Sequence, residues 1–162
     1  MPLGLQPAAL RTPAVRLVKH QARRLDQQQV AGFGMPFARV IHPKAHVSPA
    51  STIGEGTFLS PGVIIAAHTT LGRHVRVNRG VLIGHDTSIG DYVTIQPGAN
   101  IAGGCEIGAR ACVGIGSVLI DGIKVGVSSV IGAGSLVNKD VPDHAMVGGS
   151  PARAMQRQAS AP

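Results

Sequence analysis

Within the stretch NRGVLIGHDTSIGDYVTI, from Asn78 to Ile95, His85 and Asp86 set an imidazole beside a carboxylate in a run otherwise dominated by aliphatic, glycine and small polar residues. A neutral imidazole takes a proton from an amine or hydroxyl, and an adjacent carboxylate fixes its tautomer and stabilises the imidazolium that forms. General-base chemistry of this kind needs the pair to face outward from a rigid support. The other reactive side chains offer less. Cys105 and Cys112 match neither a disulfide framework nor a metal knuckle and read as small core or surface residues. His20, His74 and His144 read as surface residues, and His42 as structural.

The support is a repeat. Stepping by six from Ile41 to Val137 meets Ile, Leu or Val at seventeen consecutive positions, and four residues after each comes a small or β-branched side chain such as Thr69, Thr87, Cys105 or Ser117. A period of six fits neither a helix nor one continuous strand; it fits a short strand plus a corner, repeated around a solenoid. The first and fifth positions of each hexapeptide then point inward, with glycine easing the corners. His85 and Asp86, third and fourth in IGHDTS, fall on a corner and face out.

Composition agrees with such a core. The chain has 162 residues, enough for one domain, and 44% of them are apolar, yet it holds only three Phe, one Tyr and no Trp. Aliphatic and small side chains must therefore fill the interior, and 22 Gly and 11 Pro imply frequent turns. The formal charge of +7 is concentrated ahead of the repeat, where residues 1–39 carry six Lys or Arg against Asp26 alone. Without a nucleic-acid motif, and with so few aromatic rings for base stacking, that segment reads as a solvated helical face. No apolar run approaches membrane-spanning length and the N-terminus lacks the apolar core of a signal peptide. The expectation is a cytoplasmic protein with no nucleic-acid or membrane partner.

Three segments follow. Residues 1–40 hold a tail, a helix over about 13–30 that starts at Thr12-Pro13 and ends near Gly32, and a linker. Residues 41–142 hold 17 hexapeptides, and residues 143–162 form a C-terminal tail whose end, QRQASAP, is expected to fray.

The hexapeptides resemble those of the hexapeptide-repeat acyltransferases. The resemblance implies an all-β fold, a left-handed parallel β-helix with three faces and about six coils, each of three hexapeptides, preceded here by the short helix. The runs VIHPKAHVSPAS, NRGVLIGHDTSIGDYVTIQPGANIAGG and VPDHAMVGGSPAR are more specifically similar to the sialic acid O-acetyltransferases and UDP-4-amino-sugar N-acetyltransferases of bacterial glycan pathways. A coil of three hexapeptides sets His85 beside Gly103, Asp86 beside His68, and Asn78 between Ser60 and Gln96. By resemblance His85 is the general base and Asp86 its acidic partner, and Asn78 lies in the acceptor pocket. The Gly103 N–H holds the thioester carbonyl, and a coenzyme A channel runs past Ile115 and Ala133. The resemblance implies acetyl-CoA as acyl donor, a small-molecule acceptor such as a sugar, no metal, and a homotrimer whose active sites lie between coils of neighbouring chains.

Two departures stand out. Thr94 occupies the position of a second family His that helps form the acetyl and acceptor end, and residues 1–40 contain no Gly-rich βα turn of the usual N-terminal nucleotide-sugar-binding domain. A γ-class carbonic anhydrase shares the β-helix, but beyond His42 and His46 the third ligand's spacing fails. Serine or xenobiotic O-acetylation, or a catalytically silent trimeric scaffold, stand as alternatives.

Overall fold

The computed structural model describes residues 37–155, which fall within a compact unit beginning at Phe37. The expected helix over 13–30 and the QRQASAP tail lie outside the described residues. The described chain is a parallel β-solenoid of about six turns without a helix, in which nearly every strand is two residues long. Three sheets form its three faces. The first face runs from Val40–Ile41 through Arg76–Val77 and Thr94–Ile95 to Met146–Gly148. The second runs from His46–Val47 through Leu82–Ile83 to Leu136–Val137, and the third from Thr52–Ile53 through Ser88–Ile89 to Lys124–Val125.

Up to Leu136–Val137, each strand pairs with the strand three hexapeptides away, as in Leu82↔Asn100 and Ile83↔Ile101. The first-position aliphatics Leu59, Ile65, Val77, Ile95 and Leu119 are fully buried. The first coil is looser, and Ile41, expected inside, is 44% exposed. Fifth-position hydroxyls join successive coils: Ser51 Oγ donates to the Ala66 carbonyl at 2.7 Å and accepts the Thr69 N–H at 3.0 Å. A buried hydroxyl needs such partners to offset its desolvation. Cys105 fills the same role, its thiol directed to the Ile120 carbonyl at 3.3 Å, and burial raises its pKa, so this sulfur is a core group.

Glycine serves the corners in two ways. Every fourth position from Gly56 to Gly134 has φ between +53° and +72°, including Asp86 at 53°, so this is where the chain turns left-handed. The second-position glycines are there for space. A Cβ on Gly108 would lie 2.6 Å from the Val127 nitrogen and 2.8 Å from the Gly126 carbonyl carbon, inside the backbone of the next coil.

Two expectations change. His74 is buried rather than on the surface, because its ring lies between Phe37, edge-on at 4.6 Å, and Tyr92, stacked at 5.0 Å. The segment assigned to a tail from 143 onward extends the solenoid. After Val137 the coil is shorter, so that Val141 bridges Val125 and Met146–Gly148 pairs with Val130–Ile131 before Arg153–Ala154 folds back antiparallel. The next six-step position after Val137 is Asp143, which could not fill the interior, and the shorter coil puts Val141 there instead.

Gly108→Ala should lower stability by about 1–3 kcal/mol, since the new methyl meets a backbone fixed by its ladder. An unchanged thermal unfolding curve would show that the coils have slack.

Candidate functional site

His85 and Asp86 occupy the corner between strands Leu82–Ile83 and Ser88–Ile89, where the second face turns into the third. The Asp86 N–H is fixed to the Ala67 carbonyl of the preceding coil at 3.0 Å. Its carboxylate Oδ2 lies 2.7 Å from His85 Nδ1, and the side chains are 69% and 61% exposed. With the proton on Nδ1 shared with the carboxylate, the lone pair falls on Nε2, which is the arrangement a general base needs. Asp86 stacks in register with His68 as expected, but its carboxylate pairs with His85.

Below this pair in the stack is Gly103. A Cβ there would lie 2.8 Å from both Cε1 and Nε2 of His85, so the imidazole lies against the bare Cα of this glycine. The Gly103 peptide is well anchored: the Gly104 N–H donates to the His85 carbonyl at 2.8 Å, and the Gly103 carbonyl accepts the Gly122 N–H at 3.0 Å. The Gly103 N–H itself donates to the Asp121 carboxylate at 3.2 Å. Asp121 is absent from the sequence reading. The signal that finds it is the same three-hexapeptide step that relates His85 to Gly103, taken once more.

The other predicted site residues lie elsewhere. Asn78, Ile115 and Ala133 are on the corner between the first and second faces. The Asn78 side-chain amide donates to the Ile95 carbonyl at 2.8 Å, a clamp between coils, while Ile115 is 58% exposed. Thr94 belongs to the first face, in register between Arg76 and Cys112, and is buried. A single chain therefore assembles His85, Asp86 and Gly103 but does not bring Asn78, Thr94, Ile115 or Ala133 to them, because the second face intervenes. That face carries exposed Ile64, Leu82 and Val118.

An open groove of about 610 Å³ lies along the third face, lined by residues including Gly90, Glu106, Lys124 and Asp140, and includes none of the His85 cluster. Lys124 is engaged there, 3.0 Å from Glu106, whose carboxylate raises the lysine pKa. Among the described residues no group of three or more His, Cys, Asp or Glu could hold a metal ion, and no helix is long and apolar enough to cross a membrane. His42 accepts the Lys44 N–H through Nδ1 at 3.1 Å, a local turn contact.

A family model described as bacterial transferase hexapeptide (six repeats) matches residues 68–103 and 86–118, which include His85, Asp86 and Gly103. No protein of curated function gives a significant sequence match. Among solved structures, the chain is similar to perosamine N-acetyltransferase from Caulobacter crescentus, a variant in complex with CoA and GDP-perosamine, at 31% identity and a TM-score of 0.82, covering 85% of this chain and 66% of that one. It is similar to the acetyltransferase domain of PglB from Neisseria gonorrhoeae in complex with acetyl coenzyme A, at 31% identity and a TM-score of 0.80, covering 84% and 66%. It is also similar to WeeI from Acinetobacter baumannii, at 28% identity and a TM-score of 0.80, again covering 84% and 66%. The chain thus spans just under two thirds of the length of each of these structures. Its stacked six-residue repeats, the family model that matches residues 68–118 and these likenesses all show a chain similar to the bacterial hexapeptide-repeat transferases.

Proposed function

We propose that the protein is an acetyl-CoA-dependent acetyltransferase that acts on a sugar or nucleotide-linked sugar in bacterial glycan biosynthesis, with His85 as general base. The observation that carries this reading is the His85–Asp86 pair, 2.7 Å apart, with its ring laid against the Gly103 peptide. The two neighbours whose names describe their activity are acetyltransferases, one solved with CoA and GDP-perosamine and one with acetyl-CoA. An amino group is the favoured acceptor because the Caulobacter neighbour is an N-acetyltransferase; a hydroxyl would need the same base. The left-handed winding belongs to the same reading, as does a cytoplasmic setting, where acetyl-CoA is at hand.

In the proposed reaction the acceptor nitrogen or oxygen attacks the thioester carbonyl while His85 Nε2 takes its proton, and Asp86 stabilises the resulting imidazolium. The Gly103 N–H donates to the oxygen as negative charge develops on it. Collapse of the tetrahedral intermediate breaks the C–S bond, and the proton held on His85 passes to the departing thiolate. The acetylated acceptor and free coenzyme A leave.

A second copy of the chain completes this picture. The exposed second face, with Ile64 at 46%, Leu82 at 40% and Val118 at 42%, is an apolar strip that separates the two corners bearing the predicted site residues. A neighbouring chain of a homotrimer covering it would set the Ile115 and Ala133 corner of one chain against the His85 corner of the next, and so form the proposed coenzyme A channel.

Free thiol release from acetyl-CoA, measured with a panel of nucleotide-linked amino sugars, amino sugars, sialic acid and serine, tests the reaction. His85→Ala should cut turnover by roughly 10²- to 10⁴-fold with the circular dichroism spectrum unchanged; full turnover by that variant would remove His85 from the mechanism. Gly103→Ala should also cut turnover while leaving the protein folded, because the methyl displaces a ring that is itself exposed and free to swing out; wild-type kinetics would show that the ring position is immaterial. Sedimentation of the wild type should give the mass of three chains, and Ile64→Glu should shift it to one. A monomeric, fully active wild type would sink the shared-site arrangement.

A further inference from the structure

The backbone ladder of this solenoid passes over the third-position donor of each corner. Second-, fourth- and sixth-position N–H groups bond carbonyls of neighbouring coils, whereas no third-position N–H donates to a backbone carbonyl among the described residues. Two arrangements deal with some of these leftover donors. Proline removes the N–H altogether at Pro43, Pro49, Pro61 and Pro97. At three other corners an aspartate from the following coil accepts it: Asp91 takes the Arg73 N–H at 2.7 Å, and Asp143 takes the Val127 N–H at 2.6 Å. Asp121 does the same for Gly103, at 3.2 Å the longest of the three.

At Gly103 this clamp meets the chemistry. The hydrogen that Asp121 accepts is the one that the proposed reaction directs at the thioester oxygen, so this inference rests on that reading. One N–H cannot serve both acceptors well. We infer that Asp121 is a positioning residue that competes with the acetyl carbonyl for the Gly103 N–H, so that acetyl-CoA must turn this carboxylate aside before its carbonyl is polarised.

The competition has a definite direction. A carboxylate is a stronger acceptor than a neutral thioester carbonyl, so Asp121 weakens the ground-state contact. The oxyanion of the tetrahedral intermediate is itself charged and competes on more equal terms. Asp121 therefore withholds the donor from bound acetyl-CoA and yields it as the transition state forms, which disfavours uniform tight binding of substrate. Coenzyme A lacks the acetyl carbonyl and does not enter the competition. Its affinity should be indifferent to Asp121.

The test is the affinity of acetyl-CoA and of coenzyme A, measured by calorimetry, for wild type, Asp121→Asn and Asp121→Ala, with Asp91→Ala as control. Asp91 makes the equivalent clamp on the third corner, away from His85. Acetyl-CoA should bind about three- to tenfold more tightly to Asp121→Ala than to wild type, with Asp121→Asn between them because its amide oxygen is a neutral acceptor. Coenzyme A should bind all three alike, and in turnover the fall in KM should exceed any change in kcat. Asp91→Ala should lose thermal stability without a change in either affinity. Equal acetyl-CoA binding by wild type and both Asp121 variants, or a parallel change for acetyl-CoA and coenzyme A, overturns the inference and leaves Asp121 a structural clamp. Failure of the wild type to bind either ligand overturns the acetyl-transfer reading and this inference together.

Discussion

The backbone ladder between successive coils is the constraint from which the rest of this molecule follows. Two-residue strands would be unstable alone; here each is bonded to the coil on either side, and the bonds repeat with little change from Val40 to Val137. So close a stack leaves no room at the second position of many corners, which explains glycine at Gly72, Gly90 and Gly108. It fixes the fourth position in a left-handed conformation that glycine, aspartate and histidine adopt at little cost. It also selects the interior: aliphatics at the first position, and at the fifth either an apolar residue such as Val81 or a small polar one such as Thr69 or Cys105, whose hydroxyl or thiol bonds the next coil.

The same ladder turns sequence spacing into columns. Residues one coil apart stand one above another, so His85, Gly103 and Asp121 form a vertical line on one corner without being neighbours in the chain. The proposed base needs little local support. The scaffold fixes the Cα of His85, the left-handed residue after it supplies the carboxylate, and the glycine below gives the ring a surface to lie on. The corner is exposed, as the proposed proton transfer requires. One corner offers few contacts for the proposed acetyl-CoA, and in the proposed homotrimer the exposed apolar side chains of the second face are where a further chain would add them.

Much of the fold was legible because the repeat is a local signal: six residues suffice to show the pattern and seventeen copies remove ambiguity. The parts that escaped are those where the pattern stops. The shortening of the coil near Val141 depends on which residue can fill the last turn, and the burial of His74 depends on Phe37, which lies outside the repeat. Of the candidate site, the His85–Asp86 pair and the stacking of Gly103 were readable from adjacency and the coil length. Asn78 as a clamp on the Ile95 carbonyl, and the buried position of Thr94, were not.

The sequence by itself determined that the chain winds in six-residue steps, which side chains face inward, and that His85 and Asp86 stand on a corner, because each of these is set by periodicity or by neighbours in the chain. Only the tertiary structure decided which hydrogen-bond acceptor the Gly103 N–H finds and which candidate residues share a corner. Both are properties of side-chain direction and of the faces on which distant coils end. The 3.2 Å contact between Gly103 and Asp121 arises from the stacking of coils, in which residues many positions apart are adjacent and residues in one coil can lie on opposite sides of a face, whereas the 2.7 Å contact between His85 and Asp86 joins chain neighbours.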